Sequence, residues 1–173
     1  MNESAYGSVT RTSMQNVPYG SEVVISGNNL TINGTKITAQ PSARTPQYTY
    51  NFENWTGISD DHLVTGPITI TANFTQIPNT YKVSFVVNEP GWGELGRETV
   101  IMFYGDKLTV NGNKITAYEG IDVVAYPSDK TAQYTYAFVE WKDLPADLKI
   151  VGDTKITAVF SRTVNTYTVT FDS

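Results

Sequence analysis

The run Gln47-Tyr48-Thr49-Tyr50 occurs again as Gln133-Tyr134-Thr135-Tyr136, 86 positions further on. Working outward, Phe52 and Trp55 return as Phe138 and Trp141 at the same spacing, and Ile70-Thr71-Ala72 returns as Ile156-Thr157-Ala158. Phe74 matches Phe160, and Asn79-Thr80-Tyr81 matches Asn165-Thr166-Tyr167, followed by Val83 with Val169 and Phe85 with Phe171. Upstream, Tyr19-Gly20 matches Tyr104-Gly105 at a spacing of 85, and one residue inserted near Glu119 restores 86. Self-similarity at a fixed long period is the signature of a tandem array, in which each copy fills its own interior.

The pattern inside each copy is that of β-structure. Ile68, Ile70, Ala72 and Phe74 alternate with polar residues, as do Tyr81, Val83 and Phe85 and, at the chain end, Tyr167, Val169 and Phe171. Period two with no competing helical stripe predicts half-buried antiparallel strands. Gly27-Asn28, Asn33-Gly34, Asn111-Gly112 and Glu119-Gly120 supply the left-handed backbone that tight hairpins need. Residues 22–40 and 107–126 therefore read as three-stranded meanders, ended by Pro41 and Pro127, which cannot donate to a ladder. The expected fold class is all-β: two tandem small antiparallel modules, sandwich-like or open-sheet. The expected modules are 1–78, lacking its first strand, and 79–164. Residues 165–173 either open a third module or close the second.

Composition narrows the function classes. Of 173 residues 40% are hydrophobic and 17% charged, with net charge −5, which suits a packed core and leaves no basic cluster for nucleic acid. With no cysteine, disulfides, thiolate zinc sites and thiol nucleophiles are excluded. No apolar run has the length of a membrane span, so no membrane insertion is expected within these residues. The start, Met1-Asn2-Glu3-Ser4, is no signal peptide. An exported parent would carry signal and anchor elsewhere, with this chain an excised piece bearing an added Met1.

The order Asn-Thr-Tyr-x-Val-x-Phe, Tyr-Gly, Tyr-x-Phe-x-x-Trp, Gly-x-Ile-Thr-Ala-x-Phe stands here at residues 79–85, 104–105, 136–141 and 152–160. It resembles the Listeria–Bacteroides repeat, and more closely the divergent branch of the internalin B-repeat family. The resemblance implies tandem modules of secreted or wall-attached bacterial or archaeal proteins, serving as stalks, spacers or adhesive accessories, and brings no catalytic residue. It also implies a β-grasp-like alternative with a helix, from which the hairpin signal at residues 108–118 departs.

Candidate chemistry is thin. His62 is the single histidine, and its counterpart is Leu148, so it reads as a loop side chain without a partner for catalysis. Asp60, Asp61, Asp143 and Asp147 lack the alternate spacing of a calcium loop and read as solvated acids. Trp55 and Trp141, on strands, read as core rather than as a sugar-stacking platform. Trp92, in Glu89-Pro90-Gly91-Trp92-Gly93-Glu94, and Tyr6 in the matching place, sit on a glycine-rich loop. They read either as lids over the module end or as binding contacts for a host or environmental glycan or protein. The expectation is a non-enzymatic, extracellular spacer without cofactor or metal, or alternatively an adhesive module, whose neighbours are further copies. Because the first copy misses its Tyr-x-Val-x-Phe strand, exchange through Tyr167, Val169 and Phe171 of another molecule is also expected.

Overall fold

Hairpin turns at Gly27-Asn28 and Asn33-Gly34 cut residues 21–41 into three strands, and among the described residues the further elements are strands apart from two short turns of helix. A computed structural model describes residues 5–172. The fold is all-β: among the described residues the helical pieces are the three-residue 3-10 turns Tyr118–Gly120 and Ala146–Leu148. Residues 109–116, near the expected hairpin, carry a strand pair and no β-grasp helix. The chain divides into two compact units, Met1–Pro78 and Asn79–Ser173.

The first unit contains β1 (Gly7–Val9), β2 (Ser21–Ser26), β3 (Asn29–Ile32), β4 (Thr35–Pro41), β5 (Tyr48–Thr56), β6 (Leu63–Val64) and β7 (Thr71–Pro78). One sheet has the order β1-β4-β3-β2-β6, and β5-β7 form a second. The second unit contains β8 (Thr80–Val87), β9 (Gly93–Leu95), β10 (Thr99–Phe103), β11 (Thr109–Asn111), β12 (Lys114–Thr116), β13 (Asp122–Pro127), β14 (Tyr134–Lys142) and β15 (Thr154–Val164). Its sheets are β11-β12-β13-β9 and β10-β8-β15-β14.

Pairing follows the same register in both units. Gly7 lies opposite Pro41 and Val9 opposite Ala39, as Gly93 lies opposite Pro127 and Leu95 opposite Ala125. A methyl group on Gly7 would overlap the ring of Phe74, and one on Gly93 the ring of Phe160. The long β5–β7 ladder shifts register between Phe52 and Asn54, and β14–β15 shifts between Phe138 and Glu140. Phe52 and Trp55 are three apart, an odd spacing that would place them on opposite faces of a regular strand. The bulge restores the phase. Both rings then meet, with centroids 5.5 Å apart, as do those of Phe138 and Trp141.

The cores differ. In the second unit one continuous cluster joins Val83 and Phe85 of β8, Val100 and Met102 of β10, and Ile156 and Phe160 of β15. In the first unit the buried residues fall into two clusters, one around Val23, Leu30 and Ile37, the other around Ala39, Ala72 and Phe74. Val9 and Trp55 touch both.

Four expectations need correction. The strand at residues 80–87 is antiparallel to β10 but parallel to β15, so that sheet is mixed. A short hairpin cannot join parallel neighbours, and here most of the unit intervenes. Residues 68–70 lie outside β7, whereas their counterparts 154–156 open β15. Residues 167–171 form no strand, and no strand of the described residues pairs with them as β10 and β15 pair with β8. The offset also changes twice: Gly7 and Gly93 are 86 apart, so the first unit carries one extra residue before Tyr19. Asn16, with φ 57°, lies in that stretch.

Candidate functional site

The loops bearing Tyr6 and Trp92 are built alike. Ser42 donates its backbone N–H to the Tyr6 carbonyl and its hydroxyl to the Ala5 carbonyl, at 2.9 and 3.0 Å. Ser128 does the same to Trp92 and Gly91, at 3.0 and 2.9 Å. Both aromatic side chains are half-buried against their unit's core. The Tyr6 ring lies 5.6 Å from that of Tyr50, which lies 6.4 Å from Tyr48. Around Trp92 a cation joins in: the Arg162 guanidinium carbon is 5.1 Å from the Trp92 ring centre and 4.3 Å from that of Tyr134. A guanidinium between two aromatic faces is held by the ring quadrupoles and presents a flat, amphipathic surface.

His62 and Asp61 hold backbone groups. His62 has φ 56° and its counterpart Leu148 has φ 57°. In both places the carbonyl accepts a backbone hydrogen bond, from Val23 N–H at 2.8 Å and from Leu108 N–H at 2.9 Å. The His62 ring adds a 3.2 Å contact from Nδ1 to the Val23 carbonyl. Asp61 accepts from the Ser59 hydroxyl at 2.6 Å and from Leu63 N–H at 3.1 Å, and these bonds hold its carboxyl below the ordinary carboxylate range. Asp143, in a left-handed turn, accepts from the Thr157 hydroxyl at 2.9 Å. Asp60 and Asp147 are exposed. Among the described residues no three His, Cys, Asp or Glu side chains converge as metal ligands. Nor is any helix there long and apolar enough to cross a membrane. Trp141 is 7% exposed and belongs to the core, while Trp55 is half-buried.

Sequence reading did not foresee a cavity. The first unit holds an open groove of about 770 Å³, lined by Met14, Val17, Trp55, Val64, Ile68 and Ile70 among others. Its lining also includes Tyr19, which is 83% exposed. The only signal was the phase of the repeat. At corresponding positions in the second unit, Val100, Met102, Ile150 and Ile156 close around β8 and are at most 4% exposed. Comparison with family models, with curated proteins and with solved structures finds no match to this chain.

Proposed function

We propose that the chain is a non-catalytic spacing segment of a secreted or surface-attached microbial protein, built as a tandem array of small β units. The observation that carries this reading is the junction. β7 ends at Pro78 and β8 begins at Thr80, so Asn79 alone, 6% exposed, stands between strands of successive units. The same Asn-Thr-Tyr sequence follows β15, with Asn165 tied down by its 2.8 Å bond to the Thr131 carbonyl. The polar side chains support the same reading, since they serve turns: Asn28 donates to the Ala39 carbonyl at 3.0 Å and Asn113 to the Ala125 carbonyl at 2.9 Å. The order of motifs, which resembles that of the internalin B-repeat family, agrees with it. Single-molecule pulling on the chain tests it. Two unfolding steps of roughly 30 nm each are expected from the residues released, and a single step would defeat the reading.

A second reading, adhesion, draws on the Trp92–Arg162–Tyr134 surface. Aromatic and arginine side chains are enriched where proteins meet partners. A glycan array probed with the chain and with Trp92→Ala separates the two, since a spacer binds nothing that depends on Trp92.

A further inference from the structure

We infer that the groove of the first unit receives residues 166–172 of a second copy of this chain, laid as a strand parallel to residues 68–71, the stretch that leads into β7. The inference concerns self-association and holds whether or not the array stands on a cell surface.

The second unit shows what such a groove encloses. There β8 lies between β10 and β15, with Val83 wholly buried and Phe85 2% exposed. Phe85 meets Trp141 edge-on at 6.0 Å, and Tyr81 lies 6.4 Å from Tyr104. In the first unit no strand of the described residues takes that place, and β7 has β5 as its single neighbour. The groove-lining residues Met14, Val17, Ile70, Trp55 and Tyr19 are the counterparts of Val100, Met102, Ile156, Trp141 and Tyr104. A free edge flanked by apolar side chains is a template for strand addition.

The chain carries a second segment of the matching pattern. Thr166-Tyr167-Thr168-Val169-Thr170-Phe171 repeats Thr80-Tyr81-Lys82-Val83-Ser84-Phe85 in apolar phase. Tyr167, Val169 and Phe171 are 69%, 71% and 90% exposed and outside any strand. In the second unit Val83 pairs with Thr154 and Phe85 with Ile156. Carried over, that register sets Val169 beside Ile68 and Phe171 beside Ile70. It also brings the Phe171 ring to Trp55 and the Tyr167 ring to Tyr19. Two features weaken the docked strand relative to β8. Lys82 N–H donates to Asp153 at 2.9 Å, whereas Pro67 stands in the corresponding place. The Tyr167 hydroxyl must also leave the Ala132 carbonyl to which it donates. The exchange is therefore concentration-dependent rather than permanent.

Light scattering on the full chain across concentrations gives the first readout, with mass rising towards twice the monomer or beyond. A chain ending at Asn165, and the paired change Val169→Asp with Phe171→Asp, are expected to remain monomeric. Both alter exposed residues, so folding is not at issue. A cysteine pair at Ile68 and Val169 adds a positional readout, because the chain has no cysteine of its own. Disulfide-linked dimers from differently tagged copies support the register. A synthetic peptide of residues 165–172 added to the shortened chain is expected to shift the Trp55 indole and Ile70 amide signals. A full chain that stays monomeric overturns the inference, as does association surviving the paired aspartates. Closure of the groove at monomer mass overturns it equally, since the tail would then serve its own molecule.

Discussion

The indole nitrogen of Trp141 donates to the carbonyl oxygen of Gly112 at 3.1 Å. Its counterpart Trp55 has a buried indole nitrogen with no hydrogen-bond partner among the described residues. A satisfied bond contributes roughly 1 kcal/mol, and a buried unsatisfied donor costs about as much or more. Trp141→Phe is thus expected to destabilise the second unit by about 1–3 kcal/mol, combining the lost bond with lost packing. Trp55→Phe is expected to cost the first unit under about 1 kcal/mol, because it also removes an unsatisfied donor. Urea unfolding of the two variants checks the inequality, and equal losses would refute it.

Gly7 and Gly93 have no room for a side chain, since Phe74 and Phe160 lie over them. Rings packed into the core resist displacement, and overpacking costs roughly 1–3 kcal/mol. Gly7→Ala and Gly93→Ala should each destabilise their own unit by that amount. Hydrogen exchange at β7 and β15, resolved residue by residue, would register the loss in one unit and not the other.

Glu119 holds φ 56° in an exposed turn beside Gly120 at φ 74°. The first unit's shorter turn, Asn33-Gly34, has φ 45° and 72° and uses the residue best suited to that region. Left-handed backbone is strained for glutamate and tolerated by asparagine. Glu119→Asn is expected to stabilise the second unit by about 0.5–1 kcal/mol, visible as a raised midpoint in thermal unfolding.

Asp122 accepts from the Thr116 hydroxyl at 2.6 Å and from Lys114 Nζ at 3.0 Å. These bonds, the hydroxyl first, hold its carboxyl below the ordinary value of 3.8. The folded carboxyl is therefore the stronger acid, and its contribution is complete above the unfolded value and lost as pH falls through the folded one. Asp61 acts in the same direction through Ser59 and Leu63. Unfolding midpoints should fall below about pH 4, and Asp122→Asn should flatten that fall for the second unit. An unchanged acid slope in the variant would remove Asp122 from the account.

The split core of the first unit predicts unequal stability. Fewer side chains there reach full burial, and each fully buried aliphatic or aromatic side chain contributes about 1.5–3 kcal/mol. The first unit should unfold at lower denaturant, with amides of residues 68–72 exchanging early. Coincident transitions for both units would contradict this.

What the amino-acid order determined by itself is local. Alternation at residues 80–87 and 154–160, turns at Gly27-Asn28 and Asn33-Gly34, and stops at Pro41 and Pro127 are properties of neighbouring residues, and each became strand or turn where expected. The all-β character follows from them. The short strands β1, β6 and β9 were not legible, because two or three residues carry too little pattern to stand out. The bulge beside Phe52 was equally hidden, since only a partner strand defines a register shift. Tertiary structure alone decided the parallel pairing of β8 with β15, and the opening left in the first unit. It also decided the fate of two segments sharing one pattern. Flanked by β10 and β15, Tyr81, Val83 and Phe85 lie in a strand; without such flanks, Tyr167, Val169 and Phe171 lie in none. A strand is completed by hydrogen bonds to another part of the chain, and no stretch of residues encodes its neighbour.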